Sequence, residues 1–161
     1  MAKVILICGK ICSGKSYYAR KLKEKEHAVI LSRDEMTYEL INNEQGEFYN
    51  IFSERVNHYL RKKTVEIVHA GANVILDWGF WTNEGRKEIS KFFKQNDVSY
   101  EWHYIDVSSD KWQIQIKARN KQIENGNGGP DFYLDEGLMN KLLSRFEEPF
   151  KDKMDVWYIN N

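Results

Sequence analysis

The chain has 161 residues, 42% hydrophobic and 30% charged, with Lys plus Arg and Asp plus Glu each at 24. At roughly 100–200 residues per domain it is expected to form one domain over 1–161, with a core that needs no staples. That composition excludes collagen-like, low-complexity and disordered chains. A formal net charge of zero excludes coating of nucleic acid or anionic membrane by bulk charge, though not a local basic groove.

Cys8 and Cys12 are the two cysteines, and no His or Cys pair elsewhere completes a zinc spacing. Two reduced thiols are expected. No apolar run approaches the roughly 18–20 residues of a membrane span, and Val4-Ile5-Leu6-Ile7 is too short for a signal-peptide core. A cytoplasmic protein with no membrane partner is the expectation. Oligomeric state has no sequence signal.

In chain order, Lys3 to Cys8 predicts a first strand and Ser16 to Glu26 a helix. His27 to Ser32 predicts a second strand, and Glu47 to Ala70 a long helix in which Phe48, Ile51, Phe52, Val56, Tyr59, Leu60, Ile67 and Val68 keep the i, i+3, i+4 rule. Gly71 stands where a helix C-cap belongs. Ala72 to Asp77 predicts a strand, Glu84 to Lys94 a helix, Val98 to Val107 a strand and Asp110 to Ile123 a helix. Asp135 to Glu148 predicts a last helix and Asp155 to Ile159 a closing strand. The first three strands are continuous rather than alternating, which suits burial on both faces. Strands alternating with helices predict an α/β fold, a parallel sheet covered on both sides. Between them, Glu124 to Asp131 reads ENGNGGPD, with three of the ten glycines and one of the two prolines. It is either a connector or part of a mobile lid that shuts water out.

Gly9-Lys10-Ile11-Cys12-Ser13-Gly14-Lys15-Ser16 fits G-x-x-x-x-G-K-[ST], followed by Tyr17, and lies between a strand pattern and a helix pattern. Glycines at 9 and 14 let the backbone turn its N–H groups onto phosphate oxygens, and the new helix aims its positive end at the same anion. In that arrangement Lys15 reaches the β- and γ-phosphates and the Ser16 hydroxyl holds Mg²⁺. Guanine recognition calls for N-K-x-D. The nearest stretch is Asn120-Lys121-Gln122-Ile123, so ATP is the preferred nucleotide.

Ligands in open parallel sheets bind beyond the carboxyl ends of the strands. After the second strand comes Ser32-Arg33-Asp34, where Asp34 either takes a proton from an acceptor hydroxyl or caps the next helix, a role Ser32 would serve as well. The third strand ends at Asp77, placed to orient magnesium or an acceptor, followed by Trp78, Phe80 and Trp81. Those aromatics either wall an acceptor pocket or belong to the core. Arg86 and Arg119 are the arginines placed to meet phosphoryl charge, Arg119 because it adjoins the lid candidate; a lone helical arginine is otherwise a solvated face.

The combination GKICSGKS, SRDEM, VILDWGFWTNEGR, ARN and FEEP, from Lys3 to about Pro149, resembles the P-loop kinase family often labelled AAA-type ATPases. Its relatives include zeta-toxin-like, chloramphenicol-phosphotransferase-like and polynucleotide-kinase-like enzymes. The resemblance implies a P-loop NTPase fold, a three-layer α/β/α arrangement on a five-stranded parallel sheet, adenylate-kinase-like, with a small lid over about 119–135. It implies ATP and Mg²⁺ at the P-loop, Asp34 as catalytic base, Arg119 as the lid arginine on ATP phosphates, and Arg86 as an arginine shared by a subgroup. Two positions depart from the family pattern. Thr37 stands where polynucleotide-kinase relatives grip a substrate phosphate with arginine, and Gln115 stands where many relatives carry a second lid arginine, whose charge Lys117 or Lys121 would have to supply.

The expected activity is transfer of the γ-phosphate of ATP to a hydroxyl of a small molecule, with Arg33, Asp34, Asp77, Trp78, Phe80 and Arg86 as substrate contacts. The segment Met36 to Asn50 is expected to shape the acceptor pocket. A polynucleotide 5′-hydroxyl kinase is the alternative, with Arg20-Lys21-Leu22-Lys23 and Arg61-Lys62-Lys63 as its footprint. A third reading is an ATP-binding switch or slow ATPase without an acceptor.

Overall fold

The computed structural model describes residues 1–41, 46–129 and 131–161. Its first strand, β1 (Val4–Cys8), has all five residues buried. That follows from its place at the centre of the sheet. The order is β2 (Ala28–Leu31), β3 (Asn73–Gly79), β1, β4 (Tyr100–Val107), β5 (Val156–Asn160), and every pairing is parallel. Parallel neighbours need crossovers, and helices supply them on both faces.

On one face, α1 (Lys15–Glu26) sets Ala19 and Leu22 against Ile5, Ile7, Ile75 and Ile105. On the other, α3 (Tyr49–His69) and α4 (Asn83–Gln95) bury Val56, Leu60, Ile89 and Phe93 against Val4, Leu6, Val74 and Leu76. Odd and even positions of β1 thus serve opposite layers, as the period of two requires. A third cluster joins α5 (Ser109–Glu124) to α6 (Glu136–Leu143) through Trp112, Ile116, Leu134 and Leu142.

The α/β expectation and all five strands are borne out, with differences that have physical causes. The second strand is an edge, so Val29 is 42% exposed rather than buried on both faces. It also loses both expected ends: His27 takes a left-handed φ of 48° as the C-cap of α1, and Ser32 caps α2 (Arg33–Ile41). That helix, implied by the capping alternative at Ser32 and Asp34, carries little apolar periodicity, so its range is not legible in the sequence. In α3 the buried line is Val56, Leu60, Thr64 and Val68, while Phe48, Ile51 and Tyr59 face solvent. The last helix stops at Leu143 instead of Glu148, because the backbone of Glu147 is bonded to Trp81 and Arg86 instead of continuing a helix. Residues 42–45, within the segment expected to shape the acceptor pocket, and Pro130, within the expected lid, lie outside the described residues. Among the described residues, no helix is long and apolar enough to cross a membrane.

His103 lies buried in β4 on the α1 side, sharing a 2.9 Å hydrogen bond with the Tyr18 hydroxyl through Nδ1. Glu101 Oε2 stands 3.5 Å from its Nε2, near enough to favour a charge but too long for a good hydrogen bond. Burial outweighs that carboxylate and holds the imidazole below its ordinary pKa. The unfolded chain therefore binds a proton at about pH 6.5 that the folded chain refuses until lower pH, so stability falls as pH drops through that value. Urea denaturation from about pH 7.5 to about pH 5.5 should show this loss, and His103→Gln should flatten it. An unchanged slope in the variant would assign the loss to other groups.

Candidate functional site

Gly9 to Gly14 form a loop between β1 and α1, and three distant elements hold it. Trp112 Nε1 of α5 donates to Ile11 O at 2.7 Å, Asn160 Nδ2 of β5 donates to Ser13 O at 2.9 Å, and Gly9 N donates to Gly79 O at 3.3 Å. Two glycines are required. A Cβ on Gly9 would meet Ser13 Oγ at 2.6 Å, and Gly14 has φ +96° with Asn160 Nδ2 2.7 Å from where its Cβ would stand. Cys12 adopts a left-handed φ of 56° although it is not glycine. Such a backbone, with successive N–H groups around a concavity and a helix N-terminus behind it, is a cradle for an anion.

Lys15 begins α1 and folds back into the loop, its Nζ donating to Lys10 O at 2.9 Å and Gly9 O at 3.1 Å. Burial pushes its pKa down, with Asp77 the chief opposing influence. Ser16 Oγ donates to Asp77 Oδ2 at 2.6 Å, joining the start of α1 to the end region of β3. Hydroxyl and carboxylate are hard oxygen donors suited to Mg²⁺, which takes one or two protein ligands and completes its shell with water and phosphate. Among the described residues no group of three or more His, Cys, Asp and Glu could hold a metal alone. The Ser16–Asp77 pair therefore fits a metal bound largely through a substrate's phosphates.

A cavity of about 390 Å³ opens over the loop. Ile11 to Tyr17 line one side, Arg33, Asp34 and Asp77 another, and Trp78, Trp81 and Arg119 a third. Asp34 faces the cavity and does not cap α2. Ser32 Oγ, not Asp34, accepts the capping hydrogen bond from Glu35 N at 3.2 Å, and the Asp34 side chain is 74% exposed with Arg33 Nε 3.6 Å away. Arg119 is 14% exposed and ties the loop after α5 to the cradle. Its Nη2 lies 3.3 Å from Asp131 Oδ1, its Nε donates to Phe132 O at 3.3 Å, and its Nη1 reaches Cys12 Sγ at 3.8 Å. Both thiols are free: burial raises Cys12 above its usual range, and Cys8 is pushed up to about 12.

Other expected contacts fall elsewhere. Arg86 is 5% exposed and is not part of the cavity wall. Its guanidinium donates to Phe80 O, Asn83 Oδ1 and Glu147 O at 2.5, 2.6 and 2.7 Å, pinning the turn after β3 to the carboxyl-terminal segment. Phe80, at φ +44°, packs its ring against Trp78 and Trp102 on the core side rather than lining the cavity. Trp78 does both, being buried and cavity-lining, with Nε1 donating to Leu31 O at 3.0 Å. Lys10 offers its carbonyl to Lys15 while its ammonium stands 4.2 Å over the Trp112 ring. Tyr17 lines the mouth of the cavity.

Trp81 and Gln115 line the cavity, and among the described residues the buried Gln115 Oε1 has no partner. Asn160 carries no sequence signal and reaches the loop because β5 closes the sheet edge.

The family model described as an AAA domain matches residues 4–149. Protein KTI12 homolog of Arabidopsis thaliana is 29% identical over 152 residues, covering 91% of this chain and 47% of that protein. The chain thus spans about half the length of that curated relative. Among solved structures, the APS kinase CysC of Mycobacterium tuberculosis, in complex with AMPPNP and APS, has a TM-score of 0.68 at 16% identity, covering 99% of this chain and 89% of that one. A chain of the Pnkp1/Rnl/Hen1 RNA repair complex has a TM-score of 0.69 at 17% identity, covering 89% of this chain and 43% of that one. At such identities these likenesses establish the fold.

The burial of Arg86 has a direct consequence. Arg86→Ala would strand the two carbonyls and the amide oxygen, at a cost of about 3 kcal/mol in urea denaturation. Arg86→Lys should recover little, because an ammonium on a flexible stem does not reproduce the planar fork. A loss within about 0.5 kcal/mol, as at an ordinary surface site, would contradict this assignment.

Proposed function

The chain belongs to the AAA domain family, and on that footing we propose that it is a P-loop kinase that transfers the γ-phosphate of ATP to a hydroxyl of a small acceptor. The observation that carries this reading is the meeting, in one cavity, of the loop cradle, the Ser16–Asp77 pair and an uncapped carboxylate at Asp34.

The loop amides and Lys15 bind the β- and γ-phosphates, exchanging the Lys15 bonds to two carbonyls for charge-assisted bonds to the anion. Asp34 accepts the proton of the acceptor hydroxyl as its oxygen attacks the γ-phosphorus. The bond from that phosphorus to the β,γ-bridging oxygen breaks, and ADP leaves. Arg119 steadies charge spreading over the equatorial oxygens and, through Asp131 and Phe132, carries the lid with it. Trp78 and Trp81 exclude water from the acceptor side. Ser16 and Asp77 would hold Mg²⁺, which when bound neutralises phosphate charge. The domain is 1–161, with the lid at about 119–135, and the setting we propose is cytoplasmic.

Two substitutions divide binding from chemistry. Lys15→Ala should keep the fold, because a buried ammonium with a depressed pKa is a cost to the folded chain at neutral pH. It should nevertheless abolish the rise in melting temperature that Mg·ATP gives the parent. Asp34→Asn should retain that rise and lose about 10²–10⁴-fold in transfer, read as a mass gain of one phosphoryl group on an acceptor. Full transfer by Asp34→Asn would remove Asp34 as the base. An ATPase that no acceptor stimulates would favour a switch.

A further inference from the structure

A second cavity, of about 630 Å³, lies between α1 and α2 over the edge strand β2. It shares Ser16, Ser32, Glu35 and Asp77 with the nucleotide cavity, so one end opens at the Ser16–Asp77 pair. Its volume is that of an ordinary small-molecule site. The nucleotide-binding reading uses only its Ser16–Asp77 end.

Its walls carry opposite charges. Arg20 and Lys23 project from one face of α1, at i and i+3. Glu35, Tyr38 and Glu39 project from one face of α2, at i, i+3 and i+4. Val29 and Ile30 of β2 form an apolar floor between them. None of these four charged side chains has an ion-pair partner among the described residues, although eight other pairs form in the same structure. The cavity therefore keeps two separated, uncompensated charge pairs around an apolar strip.

That pattern discriminates between acceptors. A purely anionic acceptor, such as a nucleic-acid strand, meets Arg20 and Lys23 favourably but is repelled by Glu35 and Glu39. A cation meets the reverse, and a neutral polyol leaves both walls without a partner. A molecule bearing an ammonium and an anionic group satisfies both. We infer that the cavity holds the body of a zwitterionic acceptor, its ammonium against Glu35 and Glu39, its anionic group against Arg20 and Lys23. Its apolar part lies on Val29 and Ile30. Its hydroxyl extends past Ser32 toward Asp34, the neighbour of Glu35. The hydroxyl oxygen gains the phosphoryl group, its proton passes to Asp34 and ADP leaves. This rests on the phosphotransfer reading and names the acceptor class for it.

The test offers hydroxyl compounds of matched size in four charge classes: zwitterionic hydroxy-amino acids and seryl dipeptides, anionic hydroxy acids, cationic amino alcohols and neutral polyols. Mg·ATP is supplied throughout, and the readout is mass gain of one phosphoryl group. The zwitterions should be the class accepted. Arg20→Gln/Lys23→Gln and Glu35→Gln/Glu39→Gln should each raise the acceptor KM about tenfold, the loss of one charge pair with the acceptor, about 1.4 kcal/mol. Arg20→Gln/Lys23→Gln, which touches only the second cavity, should leave kcat and Mg·ATP affinity within a few-fold of the parent. Preference for another class, or a zwitterion KM that neither double variant moves, overturns the inference while the kinase reading stands. Should nothing be phosphorylated, an NMR titration of the parent with the same zwitterions decides: amide shifts at Val29, Ile30 and Tyr38 support the inference and their absence overturns it. Failure of the parent to bind Mg·ATP would instead fell the kinase reading.

Discussion

The rest of this structure is arranged around one uncomfortable charge. Lys15 brings an ammonium into a buried loop where its partners are two backbone carbonyls, and burial depresses its pKa. Two carbonyl dipoles compensate a cation less well than an anion does. A triphosphate tail supplies that anion and meets the loop amides as well. The loop's amides and this ammonium converge on one place before any ligand arrives, as expected of a preorganised anion site. Asp77 is the nearest relief, and it is already engaged by Ser16.

Holding such a loop open requires anchors from outside it. Trp112 and Asn160 each donate to a loop carbonyl, and Gly79 accepts from Gly9. Each anchor belongs to a different part of the sheet or its covering layer. The turn after β3 is held in turn by Arg86, which bonds Phe80 O and Asn83 Oδ1 locally and reaches Glu147 O in the segment before β5. A residue with the look of a phosphate ligand therefore acts through geometry: it fixes the turn whose glycine carbonyl steadies the cradle. Left-handed backbone at Gly79 and Phe80 is tolerated because the Phe80 ring is clasped by Trp78 and Trp102.

The parts legible in the sequence are those governed by local rules. The cradle was readable because glycine spacing, lysine and serine report a backbone shape and a charge within eight residues. Strands were readable because β1 and β3 are buried on both faces and so run continuously apolar. What escaped depends on long-range placement. Arg86 and Phe80 look alike to a reader of sequence whether they face a ligand or the core, and their fate was decided by residues more than sixty and twenty positions away. The range of helix α2 escaped because its faces are divided between two cavities and a short buried contact at Thr37, leaving no periodic stripe. Asn160 could not be placed before the strand order was known.

Departures from the family pattern acquire meaning at the same positions. Thr37 is buried, its hydroxyl donating to Arg33 O at 2.8 Å. It has turned inward, so position 37 offers no grip of the kind that an arginine there would give in the polynucleotide-kinase pattern. Gln115 places an unpartnered amide oxygen beside the cradle instead of a second guanidinium, leaving Arg119 as the cation that bridges lid and loop. Lys15 and Arg119 thus set positive charge where a nucleotide's phosphates would lie. Glutamates stand on the outer face of α2 instead. Under the phosphotransfer proposed above, selection of the acceptor would rest on charge pattern and shape rather than on electrostatic attraction to a polyanion.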